Sequence, residues 1–342
     1  VKYPIDDRRG SQTMERDGNA WERVASWGYG AAVRAFHAAH DANWLSTRRA
    51  PCLVVSIGAL TAGGAGKTPV VRWLAERLVE RGRSPAILTR GYRSSGGSAS
   101  RVVDARTPDA WRDGDEPVLL ARSLPGVPVI VGPDRVRSAT LAKTKGADVL
   151  LLDDGFQHRR LVRDVDVLLW DRTAADAHGR LLPAGPLREP ARGARRADIV
   201  LLVDRGDGVP DPPKHAIAPY RFPILLRTHA RQAIPDGTPV HAVSGIANPA
   251  AFERALVDLG LVVTSATRFP DHHRFTLDDV HRCAQTARRQ HAAVLAVTAK
   301  DYVRWPKSES AGVPAVFDLD VDVESEDLLL SAILDEGIGS ES

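Results

Sequence analysis

The 342-residue chain has only two cysteines, Cys52 and Cys283, which lie far apart and in no CxxC or Cys/His ligand spacing. A disulfide framework and a zinc site are therefore excluded as organising features, and a reducing cytosol is the expected setting. Also missing is any run of roughly 18 apolar residues, the length a membrane-crossing helix needs. The opening residues lack the basic head, apolar middle and small-residue cleavage site of a signal peptide, so any membrane contact is expected to be peripheral. No sign of charge dominates: 46 basic and 43 acidic residues leave a formal +3, too little for an electrostatic footprint on nucleic acid. Hydrophobic residues make up 43%, enough for two domains of ordinary size.

Residues 1–20, with Asp6, Asp7, Arg8, Arg9, Gly10 and Ser11, read as a disordered leader, with Met14 a candidate start. Over 21–45, Trp21, Val24, Gly28, Ala31 or Ala32, Ala35 or Phe36 and Ala39 recur at three- and four-residue spacing, one stripe of an amphipathic helix. Aromatics with polar tips (Trp21, Trp27, Tyr29, Trp44) and Arg23, Arg34, His37 and His40 suit a headgroup interface. Packing of the helix on the protein's own core is the other reading.

Beyond Pro51, apolar runs of strand length (52–57, 85–89, 127–131, 148–153, 166–170, 198–203) alternate with helical stretches (70–82, 116–124, 134–146). This rhythm predicts a doubly wound parallel α/β sheet. A proline- and charge-rich stretch at 204–223 interrupts it as a linker or domain edge. The alternation then resumes at 240–246, 250–260, 261–269, 278–290 and 293–301. The expected division is an amphipathic helix at 21–45, a core at 46–224 and a smaller α/β domain at 225–335. There is no internal repeat or low-complexity array.

The segment Thr61-Ala62-Gly63-Gly64-Ala65-Gly66-Lys67-Thr68 follows a strand and opens a helix, the context of a phosphate-binding loop. Glycines let backbone N–H groups curl toward phosphate oxygens, and the helix N-terminus adds partial positive charge. Lys67 is placed to hold the β- and γ-phosphates and Thr68 to offer a hydroxyl to Mg²⁺. The strict GxxxxGK[ST] pattern requires glycine where this chain has Thr61. Ala62 stands where partitioning ATPases carry an extra lysine, and Thr298-Ala299-Lys300-Asp301 has the wrong spacing for a guanine-reading NKxD element. The nucleotide is therefore expected to be ATP.

Asp153 and Asp154 close the apolar run 148–153 and precede Gly155-Phe156-Gln157-His158. A carboxylate at the carboxyl end of a strand beside the phosphate loop is where this class holds Mg²⁺. A sugar hydroxyl accepting phosphate gains from a carboxylate or imidazole within reach of its proton. Asp115 is one candidate, open also to reading as a helix cap. Asp271-His272-His273 is another, open to reading as a solvated loop. Arg135, Arg188 and Glu189 are candidates to line the phosphates or acceptor, since a guanidinium forks onto two oxygens. The basic run Arg192, Arg195 and Arg196 reads either as a solvated face or as a contact with anionic lipid.

Taken in order, LTAGGAGKTP, LTRGY at 88–92, GDEP at 114–117, Asp134-Arg135, DDGFQHRRLVRD at 153–164, RLLPAGPLREP at 180–190 and FPDHH at 269–273 closely resemble the tetraacyldisaccharide 4'-kinase family. The resemblance covers nearly the whole chain. It implies a P-loop kinase that uses ATP and Mg²⁺ to phosphorylate the 4'-hydroxyl of a lipid A precursor disaccharide 1-phosphate. It also implies peripheral docking on the anionic cytoplasmic face of the bacterial inner membrane through the N-terminal helix. The family's base and its histidine partner fall on Asp115 and His272. Its site-lining residues fall on Arg135, Gln157, His158, Arg188 and Glu189. Ala59 and Thr298-Ala299-Lys300-Asp301 depart from the family's usual asparagine and TEKD. A nucleotide-driven switch or metallocentre-assembly NTPase is the alternative from another class.

Overall fold

The computed structural model describes residues 20–91, 95–97, 99–107, 109–177, 179–306 and 313–339. Residues 1–19 of the expected leader, Met14 among them, lie outside these residues, as does Tyr92, whereas Ala20 opens the first helix. The chain opens with α1 (Ala20–Asp41), β1 (Leu53–Ala59), α2 (Lys67–Glu80), β2 (Pro85–Thr89), β3 (Arg101–Val102), α3 (Ala110–Asp113) and α4 (Asp115–Ser123). Next come β4 (Val129–Val131), α5 (Arg135–Thr144), β5 (Val149–Asp153), β6 (Val165–Trp170), α6 (Arg172–Ala175) and β7 (Ile199–Asp204). The remainder is β8 (Tyr220–Ala230), β9 (Pro239–Ser244), α7 (Pro249–Asp258), β10 (Val262–Arg268), α8 (Leu277–Arg289), β11 (Val294–Thr298), α9 (Ala299–Tyr302), β12 (Ala315–Asp322) and α10 (Glu326–Gly339).

These strands form one mixed, mostly parallel sheet in the order β10-β9-β11-β12-β8-β7-β6-β1-β5-β2-β4-β3. The six predicted strands of the first half all form, and β1, β2, β5 and β6 are buried along nearly their whole length, as a sheet covered by helices on both faces requires. Two antiparallel pairings, β8 with β12 and β3 with β4, are additions that the alternation alone did not signal.

The boundary expected after residue 224 falls inside β8, which pairs with β7 on one side and β12 on the other. Phe222, Ile224 and Leu226 of β8 belong to the same apolar core as Val55 and Ile57 of β1 and Trp73 of α2. Separate cores form around Val240, Phe252, Leu256 and Phe317, and around Val243, Phe275, Cys283 and Val297. The last helix, α10, returns to the first half and lays Leu329, Leu330 and Ile333 on the core that holds β1 and β6.

Candidate active site

Strand β1 delivers the chain to the phosphate loop and α2 begins at Lys67. Gly63 and Gly66 take φ of 112° and 90°, values that only glycine adopts without strain. At Gly66 a Cβ would lie 2.4 Å from Leu226 Cδ1 of β8, so the loop is also packed too tightly there for a side chain. Ala62 N–H donates to the Pro186 carbonyl at 2.8 Å, which joins the loop to the stretch 180–190. Lys67 Nζ lies 3.4 Å from Asp154 Oδ1 and donates to the Gly63 carbonyl at 3.4 Å.

Asp153 ends β5 and is buried. Burial pushes its carboxyl up to about 7, with Glu116 and then Asp154 adding in the same direction and Lys67 and Arg135 opposing. Asp154 takes φ 56°, so the backbone turns out of the strand directly after Asp153. Burial raises Asp154 as well, but Lys67 and Arg188 outweigh it and hold the group below the usual carboxylate range. Arg188 Nη1 donates to Asp154 Oδ2 at 2.6 Å. Among the described residues no three His, Cys, Asp or Glu side chains gather as a metal cluster. Mg²⁺ at nucleotide sites takes one or two carboxylates and phosphate oxygens, and Thr68 with this acidic pair fits that donor set.

Arg135 is buried at the start of α5, donating to the Gly132 carbonyl at 2.7 Å and the Asp153 carbonyl at 3.4 Å. Desolvation lowers its guanidinium to about 10, still a cation at neutral pH. Gln157 donates to the Ala59 carbonyl and to Glu189 Oε1, both at 2.9 Å. Glu189 is 1% exposed and also meets His37 at 3.1 Å and Arg196 at 2.9 Å. His158 is pushed down to about 4 by burial, with Arg135 and Arg163 adding to the effect.

Asp115 and His272, 157 residues apart in sequence, meet with His272 Nδ1 2.8 Å from Asp115 Oδ2. Gly114, with φ 96° and ψ 154°, places Asp115 as the first residue of α4, its side chain 10% exposed rather than turned to solvent as an ordinary surface cap. His272 takes φ 64° and its N–H donates to the Gly245 carbonyl at 3.0 Å, which seats the loop 269–273 at the end of β9. Next to Asp115, Glu116 pairs with Lys300 at 3.1 Å and acts electrostatically on Asp153. Asp115 comes from the first half of the chain and His272 from the second, so the structure brings together candidates from both halves.

Sequence reasoning missed Arg304 and Arg205 of this assembly, and read Tyr29 and His37 for a headgroup interface instead. Arg304 Nε lies 3.2 Å from Asp115 Oδ2. Arg205, at the end of β7, donates to the Gly64 carbonyl of the phosphate loop. Tyr29 donates from its hydroxyl to the Arg188 carbonyl at 2.7 Å, and His37 pairs with Glu189. Arg205 carried a positional signal, since it directly follows an apolar strand, the place where α/β sheets bind ligands. Arg304 had none, and Tyr29 and His37 had none for these contacts, because the partners are remote in sequence.

A family model described as tetraacyldisaccharide-1-P 4'-kinase matches residues 19–338. A tetraacyldisaccharide 4'-kinase of Anaeromyxobacter sp. (strain Fw109-5) is 43% identical over 306 residues, covering 82% of this chain and 81% of that protein. One of Syntrophus aciditrophicus (strain SB) is 37% identical over 306 residues, covering 81% and 82%. Among solved structures, the "apo" form of LpxK from Aquifex aeolicus in complex with ATP superposes with a TM-score of 0.70 at 28% identity, over 92% of this chain and 97% of that one.

Proposed function

Because the chain belongs to the tetraacyldisaccharide-1-P 4'-kinase family, we propose that it transfers the γ-phosphoryl group of ATP to the 4'-hydroxyl of a tetraacylated disaccharide 1-phosphate, the lipid A precursor. The observation that carries this reading is the 2.8 Å Asp115–His272 pair. A kinase must take a proton from its acceptor hydroxyl, and an acid–imidazole pair serves that step.

In the mechanism, backbone N–H groups of Thr61–Thr68 cradle the phosphates and Lys67 exchanges Asp154 for phosphate oxygens. Mg²⁺, held by Thr68 with Asp153 or Asp154, would neutralise charge on the phosphates. His272 and Arg304 both engage Asp115 Oδ2, so the other carboxylate oxygen is assigned to the acceptor proton. The 4'-oxygen then forms its bond to the γ-phosphorus as the bridging oxygen leaves with ADP. Of the expected lining residues, Arg188 is the one we assign to substrate oxyanions. Arg135, Gln157, His158 and Glu189 line the site by fixing the loops that carry the acidic pair and Arg188.

We assign the chain to the cytoplasmic face of the inner membrane as a peripheral protein. No helix among the described residues is long and apolar enough to cross a bilayer. Helix α1 exposes Trp21, Val24, Trp27 and Phe36, with Trp44 and Leu45 just beyond it. Arg23, Arg34 and Arg180 line a cavity of about 420 Å³ between α1 and the 179–184 loop, chemistry suited to anionic headgroups. In this reading the chain divides into a phosphate-loop lobe and a smaller lobe, with α10 packed on the first.

The test is transfer of labelled γ-phosphate from ATP to detergent-solubilised disaccharide 1-phosphate. Acceptor-dependent transfer is expected, falling by about 100-fold or more in Lys67→Ala. ATP hydrolysis indifferent to the acceptor would sink the kinase reading in favour of a switch.

A further inference from the structure

We infer that Arg304 is a positioning residue for the proposed catalytic pair, clamping Asp115 and His272 into one geometry from the second lobe. The inference rests on the reading of Asp115 as the base. Arg304 has a side chain only 5% exposed, and a guanidinium withdrawn that far from water is retained only where anions and acceptors converge on it. Its Nε lies 3.2 Å from Asp115 Oδ2, and its Nη2 donates to Asp301 Oδ1 and, at 3.2 Å, to the Gly245 carbonyl.

That carbonyl is shared. It also accepts the His272 N–H at 3.0 Å, so one oxygen registers the imidazole backbone against the guanidinium that holds the carboxylate. Asp301, fully buried, completes the frame by accepting from Gly245 N–H at 3.1 Å and from the Thr298 hydroxyl at 2.7 Å. The frame leaves no slack at Gly245, where a Cβ would lie 3.2 Å from the Pro270 carbonyl and 3.3 Å from His273 Cβ. The ring of Phe275 closes one side, with the guanidinium carbon 5.8 Å from its centroid. Residues from α4, the end of β9, the 269–273 loop and α9 are thus fixed relative to one another through one side chain.

The other charged groups facing Asp115 are His272, with Asp271 3.6 Å behind the imidazole, and the neighbouring Glu116, which is balanced by Lys300.

The experiment compares wild type, Arg304→Gln and Arg304→Lys in kcat and in KM for ATP and for the lipid acceptor. Arg304→Gln should lower kcat about 100-fold, the scale of a misplaced catalytic group, with the ATP KM within about twofold. Arg304→Lys should lose only about tenfold in kcat, because it keeps the charge but an ammonium cannot fork across Asp115, Asp301 and the Gly245 carbonyl. A kcat in Arg304→Gln that falls only as the folded fraction falls would overturn the inference. If Arg304→Gln does not fold, Arg304→Lys decides, and wild-type kcat there overturns it. Asp115→Asn separates the two layers. Full activity in that variant removes the base reading itself, whereas its inactivity together with a normal Arg304→Gln removes only the role of Arg304.

Discussion

At the scale of single residues the site is a balance of buried charges, and His158 shows how far burial moves one of them. Its Nε2 is buried without a hydrogen-bond partner among the described residues, and burial with the nearby Arg135 and Arg163 lowers the imidazole to about 4. The unfolded chain protonates this group near its ordinary value of about 6.5. Between those two values the unfolded state therefore binds more protons, and stability falls as pH drops from about 6.5 toward 4 and levels off below. Discounted for partial exposure, the loss is on the order of 2 kcal/mol. Urea midpoints of wild type and His158→Gln at pH 7.5 and 4.5 check it: the variant should lose less stability on acidification, and equal losses would show that His158 titrates normally. The motif around His158 was legible because its residues are adjacent in sequence. The pairing of Asp115 with His272 came from the resemblance to the family and from no local pattern, and the contact of Arg304 with Asp115 was not legible at all, because only the sheet order creates it.

At the scale of elements, α1 was legible as an amphipathic helix, but its orientation runs against the usual one. The face turned to the protein is polar, with Ser26 donating to the Leu181 carbonyl, Tyr29 to the Arg188 carbonyl and His37 paired with Glu189. The face turned away carries Trp21 at 65% and Val24 at 72% exposure. Ordinary helix packing would bury that stripe, and its exposure is what favours a lipid surface as the partner. Replacing Trp21 and Val24 together by Asp should weaken co-sedimentation with anionic vesicles by about tenfold or more, since each side chain is worth roughly 1.5–3 kcal/mol on leaving water. The thermal midpoint should stay where it is. Unchanged vesicle binding would remove α1 as the docking face. Strand β8 was illegible for a different reason. Its buried residues Phe222, Ile224 and Leu226 alternate as a strand should, but Pro223 and the proline-rich run before it argue for a linker. Pairing with both β7 and β12 overrode that local preference.

At the scale of the whole molecule, alternating strands and helices indicated a parallel α/β architecture, but periodicity carries no information about which lobe a terminal helix covers. Helix α10 follows the last strand of the second half and yet packs on β1 and β6, with Leu330 1% exposed in the core that includes Val55, Ile57, Val167 and Leu169. The sheet that carries the phosphate loop is thus covered in part by α10, so the loop's geometry depends on that helix being in place. Leu330→Ala should cost about 2–5 kcal/mol, the range for a truncated core leucine. The loss should be localised: amide hydrogen exchange should quicken in β1 and β6, which lose their cover, before it does in β9 and β11, whose cores contain no α10 residue. The phosphate loop sits at the end of β1, so the ATP KM should rise in step with that opening. Faster exchange confined to β9 and β11 would instead assign α10 to the second lobe and uncouple the chain's last helix from nucleotide binding.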